Sequence, residues 1–349
     1  MPNMMRGVVL PGQRRLEFRD VEVPEPQAGQ ALVRMKASSL CGSDLRAIYR
    51  PTDQGRGPEA YQGVIAGHEP CGVIERTGPG VQAFAPGDRV VLYHIAGCGA
   101  CDECRAGYMI SCTSKTRAAY GWQRDGGHAP FLLAEERTLV RLPDSLSFVD
   151  GAMVACGFST AFAACQRAGV SGADRVLVTG LGPVGLSAAL LARALGAEVT
   201  GVEAIPERLE LARSLGFTRL VEPGKGALER LNDLSAGRGF EVAMDCSGAA
   251  PARRLCLEAA RAWGRVVLVG EGGTLDLEPS PLLIHKQLSL MGSWVCSIAQ
   301  MQRLIELLER WHLHPETIVT HRFKLEEARE AYEAFDSGRT GKVVFTWED

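Results

Sequence analysis

Long apolar runs, basic runs and low-complexity tracts are all missing from this 349-residue chain. No apolar stretch approaches the ~18 residues that a membrane span needs, so no membrane partner is expected. No Lys/Arg cluster stands out and the formal net charge is −3, so no nucleic-acid partner is expected either. The opening MPNMMRGVVLPG lacks the apolar core of a signal peptide, which makes a cytoplasmic protein the expectation. Disulfides are scarce in that compartment, so the eleven cysteines read as metal ligands or buried thiols. What remains is an ordinary soluble composition, 46% hydrophobic and 23% charged. The length favours two domains.

Glycine and proline punctuate short strands in the first half. GVVL, LEFRDVEV, ALVRMKAS, CGVIERTG and GDRVVLY are β-branched and bounded by turn residues. From about residue 173 strand-like and helix-like runs alternate: RVLVTG, PVGLSAALLARAL, EVTGVE, PERLELARSL, FEVAMDCSG, PARRLCLEAARAW, GRVVLVG. That βαβα rhythm predicts a parallel sheet with helices on both faces. AQMQRLIELLERW and FKLEEAREAYEAF read as amphipathic helices, and GKVVFTW as a closing strand.

Four cysteines carry the strongest local signal. Cys98-x2-Cys101-x2-Cys104-x7-Cys112 can curl around one ion. Four thiolates leave no open position, so the expectation is a closed structural zinc site. An iron–sulfur cluster is the main rival, because short two-residue spacings suit clusters too.

A second signal is Gly180-Leu-Gly182-Pro183-Val184-Gly185, placed between a strand and a helix. In that context Gly180 makes the tight turn and Gly182 admits a pyrophosphate at the helix N-terminus. Gly185 lets helix and strand pack closely. Pro183 suits the first helical turn. The next strand ends in Glu203, where an acid bonds the adenosine ribose hydroxyls and repels a 2′-phosphate. NAD is therefore expected over NADP, with Arg208 able to soften that preference. A methyltransferase binding S-adenosylmethionine can show a similar glycine turn, but it has no need of the metal chemistry described next.

Three further segments hold metal-ligand types: Cys41-Gly42-Ser43-Asp44, Gly67-His68-Glu69 and Cys156-Gly157-Phe158-Ser159-Thr160. Two cysteines and a histidine hold zinc with one position open. An open zinc is a Lewis acid that lowers the pKa of a bound water to roughly 7, and a bound alcohol responds in the same sense. Spacing alone does not join Cys41 to Cys156.

The chain resembles the medium-chain, zinc-dependent alcohol dehydrogenases over nearly its full length. Gly67-His68-Glu69-x2-Gly72-x5-Gly78-x2-Val81 is the most specific piece, and the four-cysteine lobe, the Gly180 turn and Cys156 follow in the family's order. The resemblance implies an α/β architecture. A GroES-like β-rich catalytic domain would span 1–156 and 294–349. A Rossmann doubly wound parallel-sheet domain would span 157–293, with the active site in the cleft between them. It implies two zinc ions per chain and NAD. Cys41, His68 and Cys156 would hold the catalytic zinc, a Cys2His set already known in alcohol dehydrogenases and borrowed here. Glu69 would be a neighbouring or transient ligand, and Asp44 would orient His68. Ser43 would take the proton of an alcohol substrate. Cys98, Cys101, Cys104 and Cys112 would hold structural zinc. The nicotinamide would lie near Val269–Glu271. The product would be an aldehyde or ketone, and the assembly a homodimer or homotetramer.

Two departures stand out. Arg46 occupies the place where many relatives end the proton relay at histidine, and arginine is no proton acceptor. Gly42 replaces a pyrophosphate-binding arginine of some relatives. Cys156 leans toward the alcohol branch, since polyol and threonine branches often carry glutamate there, while a polyol-like appearance elsewhere, including the four-cysteine lobe, pulls the other way. A secondary alcohol, diol or polyol is the expected substrate, with a polyol- or threonine-type dehydrogenase as the alternative within the family. Tyr93, His94, Trp122 and Trp294 are candidate pocket residues, and His128 reads as structural. Cys71, Cys165, Cys246, Cys256 and Cys296 read as core thiols. A non-catalytic zinc and dinucleotide-binding regulator is the alternative from another class, and it has no need of Cys41, His68, Glu69 and Cys156 together.

Overall fold

The computed structural model describes residues 3–348. The chain divides into two compact units. The first comprises Met1–Cys156, Cys296–Gly338 and Lys342–Asp349, and the second Gly157–Val295 with Arg339–Gly341.

The first unit is built on a seven-stranded sheet. Its order is Val319–Phe323, Lys342–Thr346, Gln30–Ser39, Glu69–Thr77, Arg89–Leu92 and Leu139–Arg141, with Phe131–Glu135 also paired to Gln30–Ser39. Only the Val319–Phe323 pairing is parallel. Gln30–Ser39 is largely buried on both faces, with Ala31, Val33, Met35 and Ala37 on one and Leu32, Arg34, Lys36 and Ser38 on the other. Val33, Met35, Ile74 and Leu132 fill one core, and Leu10, Ile48, Tyr332 and Phe345 fill another. Register sets up the site: Ser39 lies opposite Glu69 on one neighbour and Val344 on the other.

The second unit is a six-stranded parallel sheet. Its order is Leu220–Val221, Glu198–Val202, Arg175–Thr179, Phe240–Asp245, Ala260–Leu268 and Ser289–Gly292. Val176, Leu177 and Val178 are fully buried, as a parallel strand covered on both faces requires. Pro183–Ala194, Pro206–Ser214, Ala227–Leu234 and Ala250–Ala259 are crossover helices.

Three expectations are corrected. The helix read over PARRLCLEAARAW stops at Ala259, because Ala260 opens a strand that pairs with Phe240. In FKLEEAREAYEAF, Phe323 still belongs to a strand and the α-helix begins at Ala328. The reading that no apolar stretch approaches membrane-span length also fails. Phe148–Ala168 is a continuous helical run of 21 residues, long and apolar enough for that test, but 83% of its most apolar window is buried inside the protein. It is therefore a core helix, and its near-uniform apolarity hid it from a search for amphipathic stripes.

Candidate metal centres and dinucleotide site

The sulfurs of Cys98, Cys101, Cys104 and Cys112 lie within 4.8 Å of one another. The Cys98 and Cys104 sulfurs are 4.0 Å apart, against about 3.8 Å for a tetrahedron with Zn–S near 2.3 Å. Backbone amides of Ala100 and Cys101 donate to the Cys98 sulfur at 3.4 Å. Those donors bring the Cys98 thiol down to about 6, while burial pushes Cys104 up to about 12. The donor set fits zinc with no further ligand. Gly107 anchors the lobe by accepting from Ile298 N at 2.9 Å.

A second group brings Cys41, His68, Glu69 and Cys156 within the same 4.8 Å. Cys41 follows the strand Gln30–Ser39, His68 precedes Glu69–Thr77, and Cys156 lies in a π-helical turn, Val154–Phe158. Another π turn, Leu45–Tyr49, follows Asp44. Such turns often mark functional positions. Gly67 has φ +93°, and a Cβ there would lie 2.3 Å from His128 Nδ1, so the residue before His68 must be glycine.

Asp44 is fully buried and organises the group. Its Oδ1 accepts from His68 Nδ1 at 2.8 Å and from Trp122 Nε1 at 3.3 Å, and its Oδ2 accepts from Cys41 N at 3.3 Å. With Nδ1 committed, Nε2 is the ring nitrogen left for a metal. The Cys41 and Cys156 thiols hydrogen-bond each other, which draws Cys41 well down and pushes Cys156 well up.

Glu69 is also fully buried. Its Oε2 accepts from Ser39 Oγ and from Lys342 Nζ, the latter at 2.5 Å. Its Oε1 has no hydrogen-bond partner among the described residues. Burial drives the carboxyl up to about 7 against the pull of Lys342. A buried oxygen without a partner beside two sulfurs and an imidazole is the chemistry of a cation site, and the donor set fits zinc. Ser43 is half-buried on the adjoining turn, and its hydroxyl has no partner among the described residues. Arg46 is exposed.

In the second unit, Gly180 turns the chain at φ +81°, and Pro183 opens the helix capped by Gly182. A Cβ on Gly185 would lie 1.8 Å from Gly180 O, so glycine alone allows that packing. Glu203 is buried rather than a solvated strand end. Its Oε2 accepts from Leu181 N at 2.7 Å, and its Oε1 from Ala204 N at 2.7 Å and Ile205 N at 3.0 Å. Arg208 Nη1 lies 3.9 Å from Glu203, and Arg208 Nε is buried without a partner among the described residues. Val269, at the end of Ala260–Leu268, donates its N–H to Asp245 O at 2.8 Å.

Comparison with known proteins agrees with this geometry. Residues 27–144 match the alcohol dehydrogenase GroES-like domain, and residues 183–310 the zinc-binding dehydrogenase domain. The uncharacterized zinc-type alcohol dehydrogenase-like protein YphC of Escherichia coli K12 is 47% identical over 99% of both chains. The chain belongs to the zinc-binding alcohol dehydrogenase family. An L-threonine 3-dehydrogenase of Rhizobium etli is 32% identical, covering 99% of this chain and 100% of its own. A zinc-binding dehydrogenase of Sinorhizobium meliloti 1021, solved with NADP, superposes with TM-score 0.87 at 26% identity, covering 99% of this chain and all of its own.

Two residues at the site of this dehydrogenase, Lys342 and Ser39, were not picked out from the sequence. Lys342 was read only as part of a closing strand, yet it is a buried cation paired to Glu69. A lysine inside an otherwise apolar strand was the available signal. Ser39 gave none. His94 lies with its ring centroid 5.1 Å from that of His68, and its Nδ1 donates to Ala155 O at 3.0 Å. Burial pushes it down to about 4, which keeps the ring neutral. Trp294, a candidate pocket wall, is 62% exposed in the chain, whereas Trp122 reaches Asp44. His128 is buried on Ser38 at 3.0 Å, in keeping with a structural part. Cys71, Cys165, Cys256 and Cys296 are buried, and Cys246 is half-buried.

Proposed function

We propose that this dehydrogenase interconverts an alcohol and its carbonyl with NAD, holding catalytic zinc with Cys41, His68 and Cys156. The observation that carries the reading is the second cluster, where two thiols, an imidazole and the Glu69 carboxylate converge, with Glu69 Oε1 lacking a hydrogen-bond partner among the described residues. Zinc held there supplies Lewis acidity to an alcohol oxygen, and NAD supplies a hydride acceptor. The chain's own residues do the rest. Asp44 fixes the His68 tautomer. Lys342 and Ser39 grip Glu69 Oε2, so only Oε1 is free to meet a ligand. Ser43 Oγ would take the substrate hydroxyl proton while handing its own to solvent water, since Arg46, always protonated, cannot accept it. Cys98, Cys101, Cys104 and Cys112 hold the second, structural zinc.

The first unit is the catalytic domain, and the second binds the dinucleotide through Gly180, Gly182, Pro183, Val184, Gly185, Glu203 and Arg208. Glu203 disfavours a 2′-phosphate, although the Sinorhizobium relative was solved with NADP. Secondary alcohols, diols and polyols are the substrate class. His94 narrows it. With Nδ1 donating to Ala155, Nε2 is an acceptor for a second hydroxyl on the substrate. The chain works in the cytoplasm as a homodimer or homotetramer, which sedimentation tests.

The deciding experiment measures zinc content and NAD or NADP reduction over primary alcohols, secondary alcohols, diols and sugar alcohols. Expected are two zinc per chain, a higher kcat/KM with NAD, and turnover of diols or polyols above simple alcohols. His94→Ala should erase that last preference. A native chain with one zinc that reduces neither cofactor would overturn the reading.

A further inference from the structure

The parallel sheet of the second unit reverses its order between Arg175–Thr179 and Phe240–Asp245. Ligands of such sheets bind outside the carboxyl ends of the strands at this switch point. Phe240–Asp245 ends there in a carboxylate that is 0% exposed and takes no part in the chemistry above.

Every oxygen of the Asp245 carboxylate is engaged. Oδ1 accepts from Thr179 Oγ1 at 3.1 Å, Ser247 N at 3.0 Å and Ser247 Oγ at 2.6 Å. Oδ2 accepts from Gly248 N at 3.1 Å and Arg253 Nε at 3.2 Å. Arg253, on Ala250–Ala259 and 8% exposed, sends its other nitrogens elsewhere. Nη2 donates to Gly270 O at 2.7 Å and Nη1 to Thr274 O at 3.3 Å. One buried ion pair thus fastens the end of Arg175–Thr179 and the segments 246–248 and 270–274. The segments touch backbone to backbone: a Cβ on Gly270 would lie 2.2 Å from Gly248 N, and one on Gly180 2.9 Å from Ser247 N. A buried pair is no efficient source of stability, because well-packed apolar residues do as well. Its use here is to fix backbone groups in place.

We propose that Asp245 and Arg253 are positioning residues for the nicotinamide half of the dinucleotide. They hold segments 246–248 and 270–274 rigid, so that half meets a preformed wall. The adenosine diphosphate half meets the Gly180–Glu203 end, whose loop Glu203 itself ties through Leu181 N, Ala204 N and Ile205 N. This rests on the dinucleotide reading of the second unit.

The test uses the full-length, zinc-loaded chain and titrates NADH and ADP-ribose separately by calorimetry. Arg253→Met should weaken NADH about tenfold or more, as lost preorganisation does, and ADP-ribose by less than about threefold. Arg253→Lys keeps the charge but not the fork, and should recover part of the NADH affinity. Ser247→Ala removes one hydroxyl from the Asp245 network and serves if Arg253→Met does not fold. It should weaken NADH by about threefold and leave ADP-ribose unchanged. Equal weakening of both ligands, or none for NADH, overturns the proposal. A native chain that binds neither ligand overturns the dinucleotide reading itself.

Discussion

Two clusters in this protein each gather four metal-binding side chains, and they are built in opposite ways. The lobe at Cys98, Cys101, Cys104 and Cys112 comes from one short segment, is only partly buried, and takes hydrogen bonds from its own backbone. The cluster of Cys41, His68, Glu69 and Cys156 comes from three distant segments. It is largely buried, and its members are held by side chains that are themselves buried: Asp44, Ser39 and Lys342. Four equal thiolates saturate an ion, so the lobe has nothing to offer a substrate. A mixed set with one carboxylate held back can give up a position. On the proposed reading, reactivity lies with the cluster whose ligands are unlike and whose supports are deep in the core.

The sharpest way to break that contrast is to cross the two sites. Cys41→Ala should lower zinc from two to one per chain and cut turnover about 10³-fold or more, since metal polarisation is worth several kcal/mol. Cys104→Ala should remove one zinc as well, but lower the melting temperature by about 5 °C or more while the folded fraction keeps its turnover. Metal analysis, calorimetry and steady-state rates on both variants decide it. Equal losses of activity would end the distinction.

Lys342→Met tests how deeply the Cys41, His68, Glu69 and Cys156 cluster is wired to the core. It leaves Glu69 buried without its counter-charge, which should cost about 3–5 kcal/mol in denaturant unfolding. A change below about 1 kcal/mol, the range of an exposed pair, would mean that Lys342 is not the support the geometry describes. Ser43→Ala is the mildest of the set. Loss of a proton-transfer hydroxyl should reduce turnover by about 10²-fold with zinc content and melting unchanged. An unaltered rate would remove Ser43 from the chemistry.

What could be read in advance followed from distance along the chain. The lobe fits within 15 residues, from Cys98 to Cys112, so spacing alone exposed it. The glycine turn was legible for the same reason, because strand, turn and helix are consecutive. Cys41, His68 and Cys156 were joined only through a family resemblance, since no local pattern ties Cys41 to a residue 115 positions on. Lys342 escaped even that. Its apolar neighbours said strand, and nothing in GKVVF said which buried acid the lysine meets. The helical run over Phe148–Ala168 escaped because it is apolar on all sides, and its π turn at Val154–Phe158 has no sequence mark.

By itself, then, the sequence determined the periodicities, the glycine turn, the four-thiol lobe and, through its signature, the family. These are local properties, set by side chains a few residues apart. The tertiary structure alone decided which charges share a buried space. Strand register sets Ser39 opposite Glu69, and Lys342 reaches the same carboxylate from the neighbouring strand. In the second unit, the end of a strand turns the Asp245 carboxylate onto Ser247, Gly248 and Arg253. Burial makes such placements consequential, because a charge out of water must find its partner in the fold.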